Sequence, residues 1–77
     1  MTIHECKKDA ARRLADAGIK YRKLTARTVS FSGFGYDDAI FVQIHGAETP
    51  RGPHRKEAFR DVPAPSKGGY VVGWKDT

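Results

Sequence analysis

The first part of the chain has the hydrophobic pattern of an amphipathic helix. Apolar or small residues recur every three or four positions and fall on one narrow stripe, with charges opposite: Ile3, Cys6, Ala10, Leu14 and Ala17. Thr2 and Glu5 have the spacing of a capping box, in which each side chain bonds the other residue's backbone N–H. Gly18 suits the left-handed residue that follows a helix, and Ile19 can fold back onto Leu14. The pattern predicts a helix over residues 3–17.

Three later stretches alternate with the two-residue period of β-strands. The first spans residues 27–32, with Val29 and Phe31 predicted to face the core. The second, residues 39–45, is richer in apolar side chains and is predicted to be the central strand. Its alternation places Ile40, Val42 and Ile44 on one face and Phe41 on the other, which implies that the Phe41 face is covered or is a partner surface. The third is residues 70–74, with one face carrying Tyr70, Val72 and Trp74.

The segments between these elements favour turns. Residues 33–38 contain two glycines and two aspartates and are predicted to form a hairpin loop. Residues 46–69 contain all four prolines, which exclude a long strand. Pro53 can open a short helix over residues 53–61 that packs through Phe59 and Val62; the alternative is a long flexible connection. We therefore expect one α+β domain, residues 1–77, with the N-terminal helix on a three-stranded antiparallel sheet in the order αββαβ.

The size and composition of the chain restrict the classes of protein to which it can belong. The chain has 77 residues and a mass of 8.6 kDa, and Val, Ile, Leu and Phe make up only 15 residues. So small a core implies modest stability and makes self-association plausible. The chain lacks the run of about 18 apolar residues that a membrane span requires. Without an apolar leader at the N-terminus and with a single cysteine, Cys6, the sequence favours a cytoplasmic protein. Histidine and cysteine spacing fits no metal site, and no cofactor is expected.

The net charge of +5 lies entirely in the first third of the chain. Residues 1–27 hold eight basic and three acidic residues, whereas residues 28–77 hold six of each. The helix neutralises much of its own charge, because Asp9 precedes Arg12 and Arg13 at helical spacing. The segment that follows contains no acid, and it supplies the candidate residues for nucleic-acid binding: Lys20, Tyr21, Arg22, Lys23 and Arg27. The alternative is a solvated edge whose charges discourage aggregation.

Two further groups of residues are candidates for binding. A second basic cluster lies in the proline-rich segment: Arg51, His54, Arg55 and Lys56. As a mobile loop it could clasp a phosphate backbone, although acids follow it closely. Tyr70 and Trp74 could stack bases from a sheet face, but so small a domain is expected to use Trp74 in its core.

Candidate catalytic chemistry centres on His45, which ends the predicted central strand. Ser30 or Ser32 could stand across the sheet from it, and Asp37 or Asp38 could orient it. The glycines of residues 33–36 lack the following Lys-Ser/Thr of a phosphate-binding loop, and a hairpin explains them. Cys6 lies on the apolar stripe and is expected to be a buried, inert thiol.

The stretch KLTARTVSFSGFGYDDAIFVQIHG, residues 23–46, resembles small uncharacterised proteins of bacterial and phage genomes. Those proteins pair an N-terminal helix with a TVSF-like strand and an FVxI-like strand, and the resemblance brings no activity with it. The predicted order of elements is also similar to small RNA-binding α+β folds and to toxin nucleases built on them. This chain lacks the Gly-Ser-His-His segment of such toxins.

Together these patterns favour a small non-enzymatic binding module with a basic patch for nucleic acid. One alternative is an accessory protein that interacts with other proteins and forms a homodimer through an edge strand. The other is a small nuclease-like hydrolase that uses His45.

Overall fold

Five regular elements build a two-layer α+β fold, and the computed structural model describes residues 2–31 and 36–76. The elements are α1 (Ile3–Asp16), β1 (Lys23–Phe31), β2 (Tyr36–His45), α2 (Pro53–Ala58) and β3 (Val71–Lys75), with one 3₁₀ turn at Pro65–Lys67. The α+β class and the αββαβ order are as predicted. Ser32 and residues 33–35 of the predicted hairpin loop lie outside the described residues, as do the side chains at positions 31, 36 and 37.

Both predicted ends of α1 are confirmed. The Glu5 backbone N–H donates to the Thr2 hydroxyl and the Thr2 N–H donates to the Glu5 carboxylate, each at 3.1 Å, which completes the capping box. At the other end Gly18 adopts a φ of 70°, and the Ile19 N–H donates to the Leu14 carbonyl at 2.9 Å. This is the Schellman arrangement, which turns the chain back towards the sheet.

The sheet has the strand order β1-β2-β3 and is mixed. β1 and β2 form an antiparallel hairpin, but β2 and β3 run parallel. The prediction of a purely antiparallel sheet was therefore wrong. The reason lies in residues 46–69, which contain α2 and the 3₁₀ turn and return the chain to the opposite end of the sheet before β3 begins. The short helix predicted there is confirmed, with Pro53 in its first turn.

The register shows which face of each strand meets the helices. Leu24 lies opposite Ile44 and Ala26 opposite Val42, and these side chains face α1. β1 begins four residues earlier than predicted, and its core-facing positions are the even-numbered ones. Val29, predicted to face the core, shares the other face with Thr25 and Arg27 and is not part of the core cluster. The prediction for Val29 was wrong because successive side chains of a strand point to opposite faces, so that an error of one residue in the alternation exchanges the two faces.

Both helices pack on the same face of the sheet. The buried core joins α1, the turn after it, β1, β2 and the residue that precedes β3: Cys6, Ala10, Leu14, Ile19, Leu24, Val42, Ile44 and Tyr70. α2 reaches this face through Phe59, which follows it and meets Trp74 edge to face with ring centroids 5.9 Å apart. None of the helices in residues 2–31 and 36–76 is long and apolar enough to cross a membrane.

Candidate nucleic-acid interface

Strand β1 carries two of the predicted site residues on the sheet face turned away from the helices. Lys23 and Arg27 alternate with Leu24 and Ala26, whose packing on α1 directs both cations to the opposite side. Both are exposed, and four residues of strand separate them by about 13 Å. The Arg27 guanidinium carbon lies 5.7 Å from the centroid of the Phe41 ring, within cation–π range.

A row of basic side chains crosses the sheet at the end where β1 begins. Lys23 is the cross-strand partner of His45, and His45 is the partner of Lys75. His45 is 8% exposed, and its Nε2 shares a hydrogen bond of 2.9 Å with the Thr25 hydroxyl. Burial, and then the positive charges of Lys23, Lys75 and Arg22, lower the pKa of His45 below its usual value. The lowered pKa favours the neutral form of this imidazole, which lies between two exposed lysines.

A groove runs between α1 and the beginning of β1, on the other side of Lys23. We call it the α1–β1 groove; its volume is about 440 Å³. Seven residues line it: His4, Lys7, Lys8, Ala11, Tyr21, Lys23 and Leu24. None of these described residues is acidic, so the groove combines three lysines and a tyrosine with no neutralising carboxylate on its walls.

Ion pairing separates the basic residues of the described chain into two groups. The paired group consists of arginines: Arg12 and Arg13 with Asp9, Arg51 and Arg55 with Asp76, and Arg60 with Asp61. The predicted nucleic-acid-binding cations, Lys20, Arg22, Lys23 and Arg27, form no ion pair with any carboxylate that the structure describes, and neither do Lys7 and Lys8. Positive charge is thus uncompensated around Lys23 and largely compensated around α2.

The remaining predicted residues flank Lys23. Arg22 donates its backbone N–H to the His45 carbonyl at 2.8 Å, and its side chain lies over Gly46. Lys20 is exposed, and its carbonyl accepts the N–H of Glu48 at 2.9 Å. Tyr21 is partly buried against the core and lines the α1–β1 groove. The structure therefore brings Tyr21, Arg22 and Lys23 to one end of the sheet and carries Arg27 further along β1.

The second basic cluster is largely engaged in internal contacts. Arg55 is only 6% exposed; it donates to the Thr49 carbonyl and to Asp76, and its guanidinium lies 4.7 Å from the Trp74 ring centroid. Arg51 pairs with Asp76 at 3.0 Å, and the His54 imidazole donates to the Ala17 carbonyl at 2.9 Å. Lys56 is exposed and forms no ion pair with a described carboxylate. These residues connect α2 to α1 and β3 rather than forming a mobile basic loop.

The structure does not assemble the catalytic group suggested for His45. Ser30 lies next to Val29, whose partner is Ala39, six residues along β2 from His45 or about 20 Å. Asp38 lies one residue further away, Ser32 lies outside the described residues, and the Asp37 side chain is not described. The hydroxyl beside His45 is that of Thr25, and the charged groups that perturb the imidazole are all cationic.

Several residues of this region were missed by sequence reasoning. Lys7 and Lys8 were not considered as site residues, because the charges of the helix were expected to cancel one another. In the structure Asp9 binds Arg12 and Arg13 and forms no ion pair with either lysine. The spacing of His4, Lys7 and Ala11 on one side of α1 was the available signal. Lys75 was missed because the last strand extends one residue beyond Trp74. Nothing local could show that Lys75 would lie beside His45.

Fold and site together define a small two-layer α+β domain with a basic groove and a basic strand end. In comparisons with known proteins, no family model, curated protein or solved structure matched the chain. The resemblance of residues 23–46 to bacterial and phage proteins stays a hypothesis. Within the described residues, no group of three or more His, Cys, Asp or Glu side chains is arranged to hold a metal ion.

Proposed function

We propose that this protein is a small non-enzymatic module that binds nucleic acid through the basic surface around Lys23. The observation that carries the proposal is the α1–β1 groove, where Lys7, Lys8 and Lys23 line one acid-free cleft. Lys20, Arg22 and Arg27 extend the positive surface along the chain that follows α1. Phosphates provide the matching polyanion, and neutralising them releases counterions and drives association.

The partition of ion pairs supports a phosphate ligand over a merely solvated edge. Arginines that stabilise the fold have carboxylate partners, whereas the lysines of the groove have none among the described residues. Like charges around one cleft repel one another and raise the free energy of the unbound fold. A polyanion in the groove would relieve that repulsion.

The test is a fluorescence-anisotropy titration of labelled oligonucleotides at about 50 and about 200 mM salt. With about three phosphates contacted, affinity should fall about fortyfold over this range. The double substitution Lys7→Gln/Lys23→Gln should weaken binding at the lower salt by about tenfold or more and make the salt dependence shallower. Absence of binding to duplex and to single strands at low salt would refute the proposal.

The matched control is Lys56→Gln/Lys67→Gln, which removes the same charge from two exposed lysines outside the groove. This variant should bind almost as the unsubstituted protein does. Equal weakening by the two double substitutions would mean that net charge alone attracts the nucleic acid, and the groove would lose its role.

A second candidate function is self-association through β1. The strand is nine residues long and has only β2 as a partner, so its outer edge is unpaired in the described sheet. Sedimentation over a concentration series would show a step from 8.6 kDa to twice that mass if the edge pairs with a second copy. A constant monomer mass would exclude this candidate.

A further inference from the structure

No described helix covers the sheet face turned away from α1 and α2; on this face Phe41 and Gly73 are partly exposed, whereas His45 is buried. α1 and α2 both pack on the face that carries Val42, Ile44 and Trp74. The opposite face, which we call the uncovered face, carries six residues on which the inference rests: Lys23, Arg27, Phe41, His45, Gly73 and Lys75. A small domain that leaves an aromatic ring on such a face has a surface suited to a ligand.

Phe41 lies along this face in a specific way. A Cβ atom built on Gly73 would come within 2.5 Å of Phe41 Cζ, so the ring reaches across the sheet and occupies the space above this glycine on β3. From β1, the Arg27 guanidinium lies 5.7 Å from the ring centroid. The planar guanidinium therefore lies over the aromatic ring on this face, and both are groups on which nucleobases stack.

The charges of the uncovered face fit a polyanion. Residues 23–29, 39–45 and 71–75, which pair across the sheet, contain no acidic residue; the two acids of β2, Asp37 and Asp38, come before them, at the beginning of the strand. Lys23 and Lys75 are both exposed and stand on either side of His45 in the same cross-strand row. When a base of a nucleic-acid strand stacks on the aromatic ring, the two lysines can contact the neighbouring phosphates of that strand.

Resting on the nucleic-acid binding proposed above, we infer that the uncovered face selects single-stranded nucleic acid. Phe41 and Arg27 stack a base, while Lys23 and Lys75 hold neighbouring phosphates. Lys23 also lines the α1–β1 groove, so one continuous basic surface connects the two regions. In a duplex the faces of the bases are covered by their neighbours, and Phe41 could contribute nothing; the ring is useful only against an unstacked base.

The test compares a labelled single strand of about 12 nucleotides with the matching duplex, as DNA and as RNA. We expect the single strand to bind at least tenfold more tightly at about 50 mM salt. Phe41→Leu should weaken single-strand binding about tenfold with the salt dependence unchanged, and should leave duplex binding within about twofold. Phe59→Leu is the matched control, because it makes the same change on the helix-covered face.

Arg27→Lys provides an independent variant that keeps the charge and removes the planar group. It should weaken single-strand binding severalfold without changing the salt dependence. Trp74, the single tryptophan, lies on the helix-covered face, so its emission reports whether each variant remains folded. If Phe41→Leu does not fold, Arg27→Lys decides the question.

The outcomes separate this inference from the proposed function. Equal affinity for duplex and single strand, together with unchanged binding by Arg27→Lys or a folded Phe41→Leu, would overturn the single-strand assignment and leave the basic groove intact. Failure of all nucleic acids to bind at low salt would overturn both. A competition with polyglutamate gives a further test. If polyglutamate displaces the bound single strand when its carboxylate concentration equals the phosphate concentration of that strand, charge alone is recognised, and the inference is overturned.

Discussion

Asp9 joins the two ends of the chain through its side chain. Arg12 and Arg13 donate to its carboxylate at 2.7 and 2.9 Å, and the Tyr70 hydroxyl donates at 2.7 Å. Burial raises the pKa of Asp9, but the hydrogen bonds from Tyr70, Arg12 and Arg13 outweigh it and lower the pKa to about 2. Burial and the same hydrogen bond raise the pKa of Tyr70. The hydroxyl of the buried Tyr70 thus donates its hydrogen bond to a charged carboxylate.

Asp9→Asn should lower the free energy of unfolding by about 2 kcal/mol at pH 7, because the amide has one acceptor oxygen in place of two and carries no negative charge. The pKa of Asp9 is lower in the folded than in the unfolded chain, so its contribution is complete above about pH 4 and is lost as the pH falls towards 2. Urea denaturation at pH 7 and at pH 3 measures both effects.

The comparison for Asp9 is Asp16→Asn, on an exposed residue that forms no ion pair with the described basic residues. It should change the free energy of unfolding by less than about 0.5 kcal/mol. If Asp9→Asn retains the full acid sensitivity of the unsubstituted protein, the carboxylate network does not contribute as the distances imply.

At the scale of elements, Arg55 makes the largest number of contacts that anchor α2. The helix has only six residues, and its first turn lacks a side-chain cap, so its own hydrogen bonds give it little stability. Contacts of Arg55 stabilise the helix instead: the side chain donates to the Thr49 carbonyl and to Asp76, and it lies over Trp74. The connection between the parallel strands β2 and β3 therefore depends on a charged side chain in a buried position.

Arg55→Gln should destabilise the fold by about 2–4 kcal/mol, because it leaves the Thr49 carbonyl and Asp76 with fewer partners and uncovers Trp74. Lys56→Gln is the matched control one residue along the helix, where the side chain is exposed, and it should cost less than about 0.5 kcal/mol. Thermal unfolding followed by the emission of Trp74 measures both. Similar stabilities of the two variants would show that Arg55 does not anchor α2.

At the scale of the whole molecule, we expect His45 to couple the proposed nucleic-acid binding to pH. Its pKa is lowered first by burial and then by Lys23 and Lys75 on neighbouring strands and by Arg22 before β1; Thr25 is its hydrogen-bond partner. Phosphates that neutralised these cations would raise the pKa of His45 again. Binding would then be accompanied by proton uptake, and affinity would increase as the pH falls.

We expect single-strand affinity to rise about threefold between pH 8 and pH 6, at constant ionic strength. His45→Gln should abolish most of this increase, since glutamine keeps a polar group beside Thr25 and does not titrate. His54→Gln serves as the control, because His54 bonds the end of α1 instead of facing the basic row. An increase that survives in His45→Gln would assign the proton to another group.

The local structure of this protein could be predicted from its amino-acid sequence. The capping box at Thr2 and Glu5, the turn at Gly18 and the face shared by Ile40, Val42 and Ile44 follow from contacts between near neighbours, and each is found as predicted. The charge excess of the first third is likewise a property of composition. These features depend on spacings of a few residues, which a sequence displays directly.

The packing and pairing of those elements could be seen only in the folded structure. The parallel pairing of β3, the outward side of Val29, the burial of Arg55 and the convergence of Lys7, Lys23 and Lys75 all depend on contacts between distant segments. A strand can present either face and pair in either direction, and the choice follows from which arrangement buries the most apolar surface around α1. The basic surface is a consequence of that packing.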